Sequence, residues 1–156
     1  MQRKRNVRSL FAWLVAAGVA AVLGSIAQTQ FNLAAVATLD GPVPAGLRIE
    51  TTLLDIAGFA PGLALIVATG FGIAFPVAAR LARRLAPGGI ARAALYGLAG
   101  GAAVWAAIFL MNTLLPMTPV AATREAAGLM MMVAAGAAGG ITFGALVPAR
   151  RPTPVA

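Results

Sequence analysis

The chain has 156 residues, of which 60% are hydrophobic and 10% charged, and its mean hydropathy of +0.89 is too high for an ordinary water-soluble domain. It contains no Cys and no His, which removes thiolate chemistry, the usual haem and zinc ligands and the commonest general base, so no cofactor or metal is expected. The net charge of +8 comes from cations at the ends of apolar segments rather than from a solvated groove, so the lipid bilayer, and not nucleic acid, is the expected partner.

Four uncharged apolar segments follow one another, each long enough to cross a hydrocarbon layer of about 30 Å as a helix. They cover residues 9–27, 61–79, 93–115 and 126–147. We therefore predict an all-α integral membrane protein, a four-transmembrane-helix bundle that forms a single membrane domain over residues 1–156. The length leaves no room for a separate soluble domain.

The first segment has two interpretations. It resembles a secretory signal peptide, because basic residues precede an apolar run that ends in a small-x-small cleavage motif, Ser25-Ile26-Ala27, before Gln28. The apolar run is longer than the roughly 7 to 15 residues of such signals, which favours a retained membrane anchor. Intact-mass measurement distinguishes the two.

Residues 46–60 predict a short amphipathic helix before the second span. Polar residues recur there at i, i+3, i+4 and i+7, namely Arg48, Thr51, Thr52 and Asp55. Such a helix is expected to lie at the bilayer surface with its apolar side toward lipid. Glu50 breaks the pattern because it falls on the apolar side, so either the helix stands upright or Glu50 meets a cationic partner.

Proline marks two expected bends around the second span. Pro61 stands at its start, where a missing N–H is harmless, and Pro76 lies inside it. Both are candidate hinges, although a static kink that packs against its neighbours explains Pro76 equally well.

Glycines at four-residue spacing predict a close contact between the third and fourth spans. They are Gly97 and Gly101 in one span and Gly136, Gly140 and Gly144 in the other. Small residues let membrane helices approach closely, although a lone pair at this spacing is also common by chance in Ala- and Gly-rich helices. Comparison of depths in the two antiparallel helices predicts that Gly101 meets Gly140.

The distribution of charge predicts the orientation. Ten of the 12 cations lie in the amino-terminal tail, the 80–92 link and the 148–156 tail, whereas all four acids lie on the other side with Arg48 and Arg124. The positive-inside rule then places both termini, the 80–92 loop and the 148–156 tail in the cytoplasm of a bacterium, with the amphipathic helix on the periplasmic side.

A polar cluster is expected at the periplasmic side, where Asp55 or Glu50 would pair with Arg48 or Arg124. Its alternative is a solvated surface that merely ends the membrane helices. Its predicted members are Gln28, Gln30, Asn32, Arg48, Glu50, Asp55, Arg124 and Glu125.

Catalytic chemistry is not expected. The only serines, Ser9 and Ser25, have no His to activate them, and Glu50 and Asp55 are five residues apart on a helix and so point in different directions. The best-supported function is a non-catalytic accessory or assembly subunit of a larger inner-membrane complex, which associates with other membrane subunits or with itself.

A small-solute, lipid or ion transporter is the alternative function. Its minority variant is Cu(I) handling by clustered thioethers near the periplasmic side, which are those of Met111, Met117, Met130, Met131 and Met132. Methionine as a flexible gap-filler explains the same residues.

Overall fold

The computed structural model describes residues 2–85, 88–115 and 120–147, with side chains from residue 6 onward. The fold is all-α, and a short 3₁₀ turn, Ala121–Arg124, precedes the last helix. The helices are α1 (Gln2–Asp40), α2 (Ala45–Gly58), α3 (Ala60–Leu85), α4 (Gly89–Leu114) and α5 (Ala126–Leu146). Four of them, α1, α3, α4 and α5, are long and apolar enough to cross a membrane. The predicted four-helix membrane bundle, with a short helix before the second span, is confirmed.

The helices are longer than the apolar segments that predict them. Helix α3 continues to Leu85 and α4 begins at Gly89, so most of the predicted 80–92 loop is helical. Arginine has a high helix propensity, so the charges that end an apolar segment do not end the helix. The predicted tail 148–156, together with Met117, lies outside the described residues.

The two ends of the bundle differ in charge. One end, here called the basic end, holds Arg8, Arg80, Arg83, Arg84 and Arg92. The opposite end, here called the acidic end, holds Asp40, Glu50, Asp55 and Glu125. Because successive membrane helices alternate in direction, α1 and α4 run toward the acidic end and α3 and α5 run away from it.

Helix α1 extends well beyond the rest of the bundle. Its 39 residues make a rod of about 58 Å, against a hydrocarbon layer of about 30 Å. The side chain of Gln28 accepts a hydrogen bond from Ala122 in the 3₁₀ turn, which marks the outer end of the α4–α5 pair. Residues 29–40 therefore rise about 18 Å past that level.

Helix α2 folds back along this extension of α1. Gly41 has a φ of 89°, a left-handed conformation that favours glycine, and it starts the turn between the helices. Helical bonding then continues past the end of α2, from Phe59 N to Asp55 O at 2.7 Å and from Leu63 N to Phe59 O at 3.1 Å. Helix α2 thus stands upright beside α1 as a near-continuation of α3.

Helix α1 also forms much of the core, packed against α5 and α3. Its buried face consists of small residues, and aromatic rings fill the space between α3, α4 and α5. The alanines are Ala12, Ala16, Ala17, Ala20 and Ala21, and the rings are Phe71, Phe75, Tyr96 and Phe143. The helix passes without interruption through the signal-cleavage motif at Ser25–Ala27, where Ser25 is fully buried. Whether this segment is a retained anchor or a cleaved signal stays a prediction for intact-mass measurement.

Candidate functional site at the acidic end

A buried threonine connects α1 to α2. Thr29 is 0% exposed, and its hydroxyl donates to Asp55 Oδ2 at 2.6 Å while lying 2.9 Å from the carbonyl oxygen of Ser25. Its single proton is shared between these two acceptors. The neighbouring Ser25 hydroxyl is also buried and has no hydrogen-bond partner among the described residues. A carboxylate held by a buried donor is an interhelical contact that is costly to break.

Next to this contact, Arg48, Gln30 and Thr52 are linked by a closed set of hydrogen bonds. Arg48 Nη1 donates to Gln30 Oε1 at 2.8 Å, and Gln30 Nε2 donates to Thr52 Oγ1 at 3.2 Å. The Thr52 hydroxyl in turn donates to the Arg48 carbonyl oxygen at 2.7 Å. Both functional ends of the Gln30 amide are therefore used, and the guanidinium of Arg48 is directed toward α1.

Gln28 makes a third contact, which joins α1 to the 3₁₀ turn. It is 7% exposed, and its carbonyl oxygen accepts the backbone N–H of Ala122 at 2.9 Å. Gly128 lies so close to Ala122 that an added Cβ would clash with the Ala122 backbone. The 3₁₀ turn is thus fixed between α1 and the start of α5.

The structure gives two residues of the predicted ion pair other partners. Asp55 bonds Thr29, and Arg48 bonds Gln30, because neutral partners on α1 face them across a short distance. The structure brings Gln28, Gln30, Arg48 and Asp55 into interhelical contacts and leaves Asn32 half-buried nearby. It leaves Glu50, Arg124 and Glu125 exposed.

The orientation of α2 is the reverse of that expected for a surface helix. Its polar residues Arg48, Thr52 and Asp55 face α1, whereas large apolar residues face outward. The exposed apolar residues of α2 are Leu47, Ile49, Leu53 and Leu54. Because α1 supplies hydrogen-bonding partners, the polar stripe is satisfied inside, and the apolar side is left for lipid or protein.

The predicted glycines lie between α4 and α5, the pair with the most extensive contact. A Cβ added to Gly140 would clash with the carbonyl of Tyr96, and one on Gly136 would lie 2.7 Å from the carbonyl oxygen of Gly100. The predicted Gly101–Gly140 contact is wrong, because Gly101 faces Val133 and Ala137 instead. The other two predicted glycines also face the partner helix, Gly97 against Ile141 and Gly144 against Ala93.

Several contacts were not predicted. One of them is made by the face that α1 presents to the core, where small residues recur every four positions at Ala12, Ala16, Ala20 and Gly24. Gly139 of α5 lies so near this face that an added Cβ would be 2.6 Å from the Ala16 carbonyl oxygen. This spacing is visible in the sequence, but alanine is too common there for it to stand out.

Arg92 at the basic end was also missed. Its Nη1 donates to the Gly144 carbonyl oxygen at 3.3 Å and to that of Val147, and its guanidinium lies 5.4 Å from the centre of the Tyr96 ring. A cation at this place satisfies the free carbonyls at the end of α5 and complements the helix dipole.

The prolines occupy two different places. Pro61 is the second residue of α3, two residues after the interruption at Phe59 and in the first turn of the helix, where a missing N–H is tolerated. Pro76 lies inside α3, which continues through it to Leu85, and its side chain is exposed. Neither position shows motion, so a hinge at Pro61 or Pro76 stays a prediction.

An apolar groove of about 280 Å³ opens between α3 and α4, near the acidic end. Met111 and Met132 line it, whereas Met130 and Met131 are exposed elsewhere on α5. Gly58 and Gly62 also line the groove, and no atom lies within 4 Å of a Cβ built at either position. Among the described residues no group of three His, Cys, Asp or Glu side chains is arranged to hold a metal ion. The groove suits an apolar group such as a lipid chain.

Comparison with protein-family models, with curated proteins and with solved structures finds no match to this chain.

Proposed function

We propose that this protein is a non-catalytic accessory or assembly subunit of a larger complex in a bacterial inner membrane, with both termini in the cytoplasm. The observation that carries the proposal is the α1–α2 hairpin, whose helices are joined by hydrogen-bonded polar side chains while large apolar side chains remain exposed around Glu50. A water-exposed hairpin would show the opposite arrangement. The hairpin therefore resembles one side of an interface.

The distance by which the hairpin extends past Gln28 supports the view that protein, and not lipid, covers its exposed apolar side chains. Val36 and Leu39 are exposed and lie about 12 Å and 16 Å past Gln28 along α1. The polar interfacial layer of a bilayer is only about 5–8 Å thick on each side. Acyl chains that end near Arg124 and Glu125 would not reach these side chains, whereas a partner subunit would.

Purification in a gentle detergent tests the proposal. We expect other chains to co-purify at a fixed ratio and to be released together when the detergent is made harsher. A monodisperse species that contains this chain alone, extracted from its own membrane under the mildest conditions, would count against a subunit role.

The orientation is tested by cysteine labelling, for which the native chain has no background because it lacks cysteine. Asp40→Cys should react with an impermeant maleimide added to intact spheroplasts, and the equally exposed Arg84→Cys should react only after permeabilisation. The reverse pattern would invert the orientation and place the hairpin in the cytoplasm.

Lipid or small-solute handling is the second candidate function, and the open apolar groove favours it. In proteoliposomes, a carrier would accelerate the movement of a labelled lipid above the rate in protein-free vesicles. A subunit would not. Cu(I) transfer needs several converging thioethers, and among the methionines that the structure describes only Met111 and Met132 line the groove. We expect no competition with a colour-forming Cu(I) chelator.

A further inference from the structure

We propose that the exposed face of α2 around Glu50 is a docking surface for a helix of a different membrane protein, which presents Lys or Arg to Glu50. This inference rests on the proposed function and names the surface and the chemistry of the partner. The face consists of Leu47, Glu50, Leu53, Leu54 and Ala57, all exposed.

Glu50 lies at the centre of this face. At 100° per residue, Leu53, Leu54 and Ala57 follow Glu50 at i+3, i+4 and i+7, and Leu47 precedes it by three. Leu53 is 62% exposed and Leu54 is 65% exposed. A carboxylate surrounded by apolar side chains is unfavourable against lipid, and it becomes favourable when a cation on the covering surface meets it.

No cation of the described chain takes this role. Arg48 is the nearest in sequence, and it points to the opposite side of α2, where it donates to Gln30. Asp40, at the outer end of α1, is a further exposed acid at this end of the bundle, where Arg124 is an exposed cation. Because Glu50 is the charged residue within the apolar face itself, the complementary surface is apolar and basic.

A second copy of the chain is a poor fit to the face. Two copies share one orientation in the membrane, so a two-fold interface through α2 would pack the helices side by side and parallel, with like residues at like depth. Glu50 would then face Glu50 of the other copy in apolar surroundings, which is unfavourable. A different chain with a cation at this depth removes that conflict.

Photocrosslinking in the native membrane tests the proposal. A photoreactive residue that replaces Leu54 should give one discrete adduct with another protein. Glu50→Lys should reduce the adduct at least about tenfold, because opposing cations then meet in the interface. Glu125→Lys is the matched control, since Glu125 is also an exposed acid at the same end, and it should leave the yield unchanged.

The decisive step is charge exchange. Once the adduct identifies the partner helix, replacement of its Lys or Arg by Glu should restore the adduct with the Glu50→Lys chain. Adducts between two copies of this chain, adducts with lipid alone, or a yield that Glu50→Lys does not change would each overturn the proposal. Glu50 is exposed, so equal melting temperatures of the wild type and Glu50→Lys will show that the variant folds.

The co-purification experiment distinguishes a failure of this docking surface from a failure of the proposed subunit role. Co-purifying chains without an adduct at position 54 would retain the subunit role and reject this face. An absence of both would reject the proposed function itself.

Discussion

Helices α4 and α5 meet through glycines and backbone carbonyls, whereas α1 and α2 meet through hydrogen-bonded side chains. The first contact depends only on shape, since each helix needs a smooth surface opposite the other. The second depends on chemical partners at matching heights, because each donor must find its acceptor. Shape complementarity joins the helices where acyl chains surround the protein. Side-chain hydrogen bonds join them where the helices extend beyond the acyl chains. The two regions should therefore respond to different substitutions.

The largest effect is expected in the glycine contact. Gly140→Leu adds a side chain where even a Cβ would clash with the Tyr96 carbonyl, so the helices must separate, at a cost of about 3 kcal/mol. Thermal unfolding in detergent measures the loss. Gly72→Leu is the matched control, because nothing lies within 4 Å of a Cβ at Gly72. Equal melting temperatures for the two variants would mean that α4 and α5 do not pack through this contact.

A smaller effect is expected in the hairpin. Thr29→Val removes the donor to Asp55 and leaves the carboxylate without that partner, at a cost of about 2 kcal/mol. Asp55→Asn and the double variant complete a cycle whose coupling energy isolates the pair. Thr38→Val is the control, since the exposed Thr38 bonds only the Ala35 carbonyl within its own helix. Additive effects of the two substitutions would show that Thr29 and Asp55 do not interact.

The smallest effect is expected at the basic end of the glycine contact. Arg92→Gln removes the cation from the last carbonyls of α5 and from the Tyr96 ring, and should lower the free energy of unfolding by about 1 kcal/mol. Arg84→Gln, an exposed arginine at the same end, should change it little. If both variants melt alike, Arg92 is only part of the positive charge that sets orientation.

The outline of the fold was predictable because hydropathy and charge act over whole segments. Four apolar runs and the 46–60 segment correspond to α1, α3, α4, α5 and α2. The outer third of α1, residues 29–40, was not predictable from hydropathy. Gln28, Thr29 and Gln30 look like the end of a membrane span, yet a helix continues through polar residues when other elements supply their hydrogen-bond partners, as α2 and the 3₁₀ turn do here.

The details of contact were less predictable for two physical reasons. Four-residue spacing is periodic, so it identifies a face but leaves the register uncertain by a turn, which is why Gly101 was matched to Gly140. A helical wheel likewise separates the two faces of α2 without saying what surrounds each. Asp55 and Arg48 both face α1, and their side-chain hydrogen-bond partners, Thr29 and Gln30, belong to that helix.

The close approach of Gly139 to Ala16 joins α5 to α1. During synthesis α1, α3 and α4 are made before α5, so the alanine face of α1 lacks this partner until α5 has been made. The contact between α1 and α5 therefore forms after the other three long helices are present. A chain that ends before α5 would expose both that face and the glycines of α4.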